Sequence, residues 1–124
     1  MERVTGIGGF FFRARDPEAL AVWYEQRLGV NPVPRTYEQE PWRQQEGATA
    51  FAPFPQDSDM IGSPEHTWMI NFRVDDLDAL VEQLRSAGET VHVDSERYPM
   101  GRFAEVRDPE GNGIQLWQPM TPPG

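Results

Sequence analysis

The feature that most constrains this chain is a nine-residue segment that occurs twice. Phe12–Leu20 (FRARDPEAL) aligns with Phe72–Leu80 (FRVDDLDAL), 60 residues later, and five of the nine positions are identical. In each copy an Asp suited to capping a helix follows an apolar-rich stretch, and leucines at helical spacing come after it. The repeat therefore predicts two similar modules, each passing from a strand into a helix, rather than a solenoid.

The pattern on either side of the repeat predicts the remaining elements. A first helix follows Asp16-Pro17 and ends at Gly29, and a second follows Asp76 and ends at Gly88. Five prolines interrupt residues 31–63, where short strands are the best interpretation. The predicted strands are, in chain order, 4–14, 35–40, 48–54, 67–74, 90–93, 102–107 and 113–117.

A β-hairpin is predicted near the C-terminus. Residues 108–111 (DPEG) have the composition of a type I turn. On the return strand, Ile114 and Leu116 alternate with Gln115 and Trp117. A period of two places the aliphatic pair on one face and the Gln/Trp pair on the other. One face would pack on a core, and the other could line a cavity.

Composition limits the kind of protein this can be. With 124 residues, one domain spanning 1–124 is expected. The chain has 20 acidic and 11 basic residues, a formal charge of −9, and no basic cluster, so nucleic acid is not expected as a partner. No stretch reaches the ~20 apolar residues of a membrane span, and the N-terminal residues do not resemble a signal peptide. A cytoplasmic protein without disulfides or thiol catalysis is therefore expected, since there is no cysteine.

The repeated β-α-β-β-β pattern, the helix ending in WYEQRLG and the late DPEGNGIQLW hairpin resemble the vicinal oxygen chelate superfamily. That superfamily includes glyoxalase I, extradiol dioxygenases and bleomycin-resistance proteins. The resemblance implies an α+β fold in which two βαβββ modules, about 1–62 and 63–120, form a cup-shaped mixed sheet with the helices outside. It also implies a homodimer, which the aromatic content and the open sheet edges favour as well.

The resemblance also indicates where a metal would bind. Metal-dependent members take ligands from the first strand of each module and from the last strand of the second. These slots fall on Gly9, Met69 and Gln115. Glycine has no side chain, a thioether is too soft for the usual ions, and one amide does not hold a divalent cation. His66 and His92 do not obviously replace these ligands, so we expect no metal and no cofactor.

If the slot positions face the cup, alternation along the strands defines its wall. The wall is mostly apolar with a few polar groups, which is typical of a small-molecule pocket. Aromatic residues of the proline-rich segment, residues 31–63, could close the mouth of this pocket. Each of these residues also has an ordinary interpretation as core, dimer contact or rim ion pair. The residues predicted to bind a ligand are Phe11, Arg13, Trp42, Phe51, Met69, Asn71, Phe103, Gln115 and Trp117.

Glu105 is the carboxylate expected inside this cup. Flanked by Phe103 and near Trp117, it would be desolvated, which makes it the candidate general base. Three functions stay open. The first is a metal-independent protein that sequesters an aromatic or cationic small molecule, as bleomycin-resistance proteins do. The second is a lyase, isomerase or dioxygenase of the same superfamily with an atypical site, and the third is a diverged structural or regulatory subunit.

Overall fold

The computed structural model describes residues 1–120, so the last four residues of the predicted domain lie outside it. The elements are α1 (Pro17–Leu28), β1 (Ile70–Arg73), α2 (Leu77–Ser86), β2 (His92–Val93), β3 (Gly101–Arg107) and β4 (Gly113–Pro119). The strands form one sheet in the order β1-β4-β3-β2. β1 runs parallel to β4, and the other pairs are antiparallel. The predicted α+β class with a mixed sheet is confirmed.

Both helices begin at the predicted capping residues. Asp16 Oδ1 accepts a hydrogen bond from Ala19 N at 3.1 Å, and Asp76 Oδ1 accepts one from Ala79 N at 3.0 Å. Each aspartate thus satisfies an amide that the first helical turn leaves unpaired. α1 ends at Gly29, whose φ of 72° is the left-handed conformation that glycine adopts without strain. The repeated segment therefore does encode two equivalent helix starts.

The core lies between the helices and one face of the sheet. Alternate residues of β3 and β4 are almost fully buried there, and both helices turn leucines and other apolar side chains towards them. The other face of the sheet does not contribute to this cluster. The buried side chains are Leu20, Trp23, Tyr24, Leu77, Val81, Leu84, Val91, Ala104, Val106, Ile114 and Leu116.

A buried carboxylate in the predicted turn between β3 and β4 is hydrogen-bonded to α1. Asp108, 4% exposed, accepts from the Tyr24 hydroxyl at 2.8 Å and from Asn112 Nδ2 at 2.7 Å. Its other oxygen accepts from the backbone N–H of Glu110 at 2.8 Å. Burial of the hydroxyl, and then its bond to Asp108, raises the pKa of Tyr24. The paired carboxylate is the kind of buried charge that folded proteins tolerate.

The same hairpin reaches the N-terminus of each helix. Glu110 accepts from the backbone N–H of Arg15 at 2.6 Å and of Asp16 at 3.0 Å. Gln118 Oε1 accepts from the backbone N–H of Leu77 at 2.7 Å. The hydrogen bonds from Arg15 and Asp16 hold the pKa of Glu110 below its usual value. β3 and β4 therefore fix the positions of both helices.

The first half of the chain differs from the prediction. β1, α2, β2, β3 and β4 make a complete βαβββ module, but the first module has its helix without the strands predicted at 4–14, 35–40 and 48–54. A strand needs a neighbour with which to exchange backbone hydrogen bonds, and within residues 1–120 these segments have none. Pro53 removes a donor from the last segment, Pro34 and Pro41 flank the second, and three glycines weaken the first.

The N-terminal segment is nevertheless packed at one point. The ring of Phe12 lies 6.2 Å from that of Tyr24 on α1 and 5.3 Å from that of Trp68, just before β1. Phe10 also contacts Trp68, at 5.0 Å. Phe10 and Phe12 both pack against Trp68, while Phe11 between them is 89% exposed, so side chains alternate at this point.

Neither helix among residues 1–120 combines the length and the apolar character that a bilayer crossing needs.

Candidate functional site

A line of polar side chains crosses the face of the sheet that is turned away from the core, here called the open face. Ile114 and Leu116 point into the core, so Gln115 between them points to the open face. The register then sets its neighbours, because paired residues share a face. Asn71 lies opposite Gln115, Gln115 opposite Glu105, and Glu105 opposite His92. We call Asn71, Gln115, Glu105 and His92 the polar row.

Three aromatic side chains stand beside the polar row, and we call Tyr98, Phe103 and Trp117 the aromatic wall. Phe103 and Trp117 are cross-strand partners whose rings lie within 7° of parallel, with centroids 6.4 Å apart. Tyr98 meets Phe103 edge-on at 5.9 Å. Trp117 Nε1 donates to Met100 O at 2.8 Å, which fixes the indole. The chain passes close by at Gly101, where a Cβ would lie 2.9 Å from Trp117 Nε1.

Tyr98 is itself held in place by a carboxylate. Its hydroxyl donates to Asp94 Oδ2 at 2.8 Å, and this bond is the main reason why the pKa of Tyr98 rises to about 12. The pKa of Asp94 is lowered in turn, first by the backbone N–H of Glu96 and then by the Tyr98 hydroxyl. Tyr98 therefore presents a neutral ring to the aromatic wall throughout the physiological pH range.

A depression of about 410 Å³ opens at the end of the sheet that carries Arg107. Met69 and Glu105 line it together with His66, His92 and Arg107. Carboxylate, imidazole and guanidinium groups thus meet around one cavity that also has apolar walls. This mixture suits a small ligand with both apolar and polar parts.

Gln115 and Asn71 are joined through their side chains. Asn71 Nδ2 donates to Gln115 Oε1 at 2.7 Å. This bond uses one donor of the first amide and one acceptor site of the second. It orients both amides at the centre of the open face.

Arg73 ties the proline-rich segment to the same part of the molecule. It is the register partner of Trp117, and its guanidinium donates to Gln45 O at 2.7 Å and also to Ala48 O. Two bonds from one planar guanidinium hold the backbone of this segment beside the edge strand β1. The segment is thereby kept close to the aromatic wall.

Six residues from the sequence prediction share the open face. The structure brings these side chains together because the second module has the predicted strands in the predicted phase. They are Met69, Asn71, Phe103, Glu105, Gln115 and Trp117.

Four residues from the first half are not gathered there. Phe11 and Phe51 are 89% and 88% exposed, and Arg13 is exposed as well. Trp42 packs edge-on against Phe72 at 6.1 Å, and Phe72 belongs to the core side of β1. The predicted placement of these four in one wall is therefore not found, because the strands that would have presented them do not form.

Glu105 lies on the open face but is exposed, so the desolvation expected for it is not found. Its neighbours in the register are the polar side chains of Gln115 and His92. Phe103 lies two residues away along β3 and packs against Trp117 and Tyr98 instead. The apolar side chains thus cover one another rather than the carboxylate.

Sequence reasoning did not assign His92 to the site, although a signal for it exists. Val91 and Val93 flank it, and both pack towards the core. The alternation that places Gln115 on the open face therefore places His92 there too. Tyr98 and His66 lie outside regular strands, so no periodicity identifies them.

The residues at the three metal slots do not fit a divalent ion. Gly9 offers no side-chain ligand, Met69 offers a thioether, and Gln115 Oε1 already accepts from Asn71. Among residues 1–120, no group of three or more His, Asp or Glu side chains could hold a metal ion.

Comparison with known families gives a match over most of the chain. A model described as the Glyoxalase/Bleomycin resistance protein/Dioxygenase superfamily matches residues 6–116. No curated protein matches the chain significantly.

Several solved structures share the fold. TnmS3, an antibiotic binding protein from Streptomyces sp. CB03234, is 22% identical with a TM-score of 0.63, over 97% of this chain and 100% of that one. A protein from the mobile metagenome of V. Pseudocholerae is 19% identical with a TM-score of 0.61, over 98% and 99%. Lactoylglutathione lyase from Agrobacterium tumefaciens is 20% identical with a TM-score of 0.58, over 94% and 96%. Because these identities are all below 25%, the structural similarity establishes a common fold and nothing further.

Proposed function

Because the chain belongs to the glyoxalase/bleomycin resistance protein/dioxygenase superfamily, we propose that its open face binds a planar aromatic small molecule, neutral or cationic. The observation that carries this proposal is the aromatic wall standing beside the polar row on one face of the sheet. Small-molecule sites combine apolar walls with a few oriented polar groups. That a protein of the same fold is described as antibiotic binding supports it.

The aromatic wall suits a flat ligand for physical reasons. Phe103 and Trp117 are nearly parallel and only partly buried, so a ligand ring can pack against them. Such aromatic contacts contribute about 0.5–1.5 kcal/mol beyond the area they bury. The carboxylate of Glu105 and the net charge of −9 favour ligands with a positive charge. We propose Met69, Asn71, Phe103, Gln115 and Trp117 as the contacts on the sheet.

We propose that the chain works as a homodimer. The outer strands β1 and β2 leave both edges of the sheet open to a further strand. Phe11 and Phe51 are exposed apolar side chains of the kind that a second copy would cover. In such a dimer Phe11, Arg13 and Phe51 would complete the ligand site.

We propose that binding needs no metal ion, because the slot residues Gly9, Met69 and Gln115 supply no side chain, a soft thioether and a single neutral amide. Elemental mass spectrometry of protein purified without chelator should find no stoichiometric metal. Added divalent ions should leave the melting temperature unchanged, since an ion that binds the folded state would raise it. Zinc, iron, manganese or nickel near one per chain would overturn this part of the proposal.

The binding proposal is tested with a panel of planar aromatic compounds that includes acridinium, anthraquinone and naphthalimide. Calorimetric titration should find a ligand in the panel. Trp117→Leu should weaken its binding at least about tenfold, because the main stacking surface is lost. Val22→Ala is the control, since Val22 is exposed on the outer side of α1. Absence of binding across the panel, or equal effects of the two variants, would contradict the proposal.

An enzyme of the same superfamily, such as a lyase, isomerase or dioxygenase with an atypical site, is the second candidate. The observation that favours it is the pairing of Glu105 with His92, both of which line the depression. A carboxylate beside an imidazole can supply a base and an acid. Mass spectrometry of each bound ligand after incubation separates the two functions. Turnover that Glu105→Gln abolishes, with binding retained, would replace the binding proposal by the enzyme.

The acidic charge also supports a small molecule rather than nucleic acid as the partner, because phosphate contacts need clustered Lys and Arg. A cytoplasmic location stays a prediction.

A further inference from the structure

We infer that the Asn71–Gln115 pair selects ligands that carry an amide edge, meaning an N–H beside a C=O as in a lactam, an imide or a carboxamide. The inference rests on the proposed function, because it names the class of planar ligand that the same open face would take. It follows from which atoms of the two amides the protein itself uses.

The pair is held by its place in the sheet. Gln115 lies on β4 between Ile114 and Leu116, which are 1% and 0% exposed and fix the strand against the core. Asn71 lies opposite it on β1. The bond from Asn71 Nδ2 to Gln115 Oε1, at 2.7 Å, then sets the rotation of each amide. The pair is thus oriented before any ligand arrives, which lowers the entropy cost of binding.

The atoms left over are one acceptor and one donor. Asn71 Oδ1 is an acceptor and Gln115 Nε2 is a donor. Among residues 1–120, neither atom has a hydrogen-bond partner in the protein. Both belong to side chains that solvent reaches on the open face.

An amide edge offers a hydrogen-bond partner for each of these two atoms. Its N–H can donate to Asn71 Oδ1, and its C=O can accept from Gln115 Nε2. A carboxylate offers acceptors only and would leave Asn71 Oδ1 facing an oxygen, while an ammonium offers donors only. The pair therefore discriminates by hydrogen-bond pattern, whereas Glu105 would discriminate by charge.

The aromatic wall is at the right distance for one ligand to use both features. Trp117 is two residues beyond Gln115 on β4, which corresponds to about 7 Å along the strand. That is about the width of two or three fused rings. A ligand packed against Trp117 and Phe103 can thus present its edge to Asn71 and Gln115.

The test compares naphthalimide, whose imide N–H lies between two carbonyl groups, with its N-methyl derivative, which cannot donate. Calorimetric titration should show that the wild type binds naphthalimide about tenfold more tightly, as expected for one hydrogen bond in a half-exposed site. Gln115→Met and Asn71→Leu remove the paired groups at similar side-chain volume. Asn71→Leu should abolish this preference, because the imide N–H loses its acceptor. Gln115→Met should weaken the binding of both compounds, because each keeps a C=O that would accept from Gln115 Nε2. Gln83→Met, on the exposed side of α2, should keep the preference.

Circular dichroism spectra that match the wild type show that the variants fold. Equal binding of the two compounds by the wild type would overturn the inference and leave the proposed function standing. So would a preference that survives in Asn71→Leu, or binding by other planar aromatics but by neither imide. If no planar aromatic compound binds at all, the proposed function fails together with the inference.

Discussion

At the scale of single residues, the bond between Tyr24 and Asp108 is the contact whose loss should be felt most. Tyr24→Phe removes the hydroxyl that donates to this buried carboxylate and leaves the oxygen with one partner fewer. We predict that the free energy of unfolding falls by about 1.5–3 kcal/mol, the range for a bond to a charged group. Urea denaturation measures it. The matched control is Tyr98→Phe, whose partner Asp94 is exposed. A loss as large in the control would show that burial is not the cause.

Gly101 is the second position at which one residue decides local structure. Its φ is 135°, which other residues rarely adopt, and a Cβ there would lie 2.2 Å from Gln118 O. We predict that Gly101→Ala costs about 1–3 kcal/mol or more, since strain and a clash with the backbone combine. The variant should also weaken ligand binding, because Met100, which precedes Gly101, supplies the acceptor that positions Trp117. Gly8→Ala, with nothing within 4 Å of its Cβ, should be nearly neutral in the same denaturation experiment.

At the scale of elements, the contact between the β3–β4 turn and the start of α1 should make the folding stability fall at acidic pH. The Glu110 carboxylate accepts from two backbone N–H groups, which lowers its pKa in the folded state. A glutamate carboxyl in the unfolded chain has a pKa of about 4.3. A lowered folded pKa means that this stabilisation is fully present above the unfolded value and is lost as pH falls through the folded value.

Glu110→Gln should therefore flatten the fall in stability that the wild type shows between about pH 5 and about pH 3. Melting temperatures measured across this range for both proteins give the difference. Glu82→Gln, on the exposed side of α2, should leave the wild-type slope intact. Parallel curves for wild type and Glu110→Gln would contradict the assignment.

The elements also show how far sequence periodicity reaches. In the second module the strand alternation, the capping Asp76 and the residues 108–111 turn are all local signals, and the structure has each of them. The signals that predict the first helix are local as well. The strands predicted in the first half depend instead on a neighbouring strand, which no local pattern supplies. Within residues 1–120 they find none.

At the scale of the whole molecule, exposed apolar surface in the first half leads to the prediction of a dimer. Sedimentation velocity should find a particle of twice the chain mass. Phe51→Ser should weaken the association, because Phe51 is among the most exposed apolar side chains. Val22→Ser, on the outer side of α1, is the control. A monomer at every concentration tested would contradict the homodimer.

The candidate site was predictable to the same extent as the strands that carry it. Parity along β1, β3 and β4 places Met69, Asn71, Phe103, Gln115 and Trp117 on one face, and the structure has them there. What parity cannot give is the packing between side chains. The exposure of Glu105, the pairing of Phe103 with Trp117 and the bond between Asn71 and Gln115 depend on tertiary contacts.

The most direct test of the central claim, binding of a planar aromatic molecule on the open face, is an NMR titration that follows the tryptophan indole N–H signals. Trp117 Nε1 lies in the aromatic wall and donates to Met100 O, whereas Trp23 Nε1 donates to Glu89 Oε2 at 3.1 Å on the helix side of the sheet. A ligand from the planar aromatic panel should shift the Trp117 signal and leave that of Trp23 in place. A ligand that shifts Trp23 and not Trp117, or a panel that shifts neither, would contradict the account.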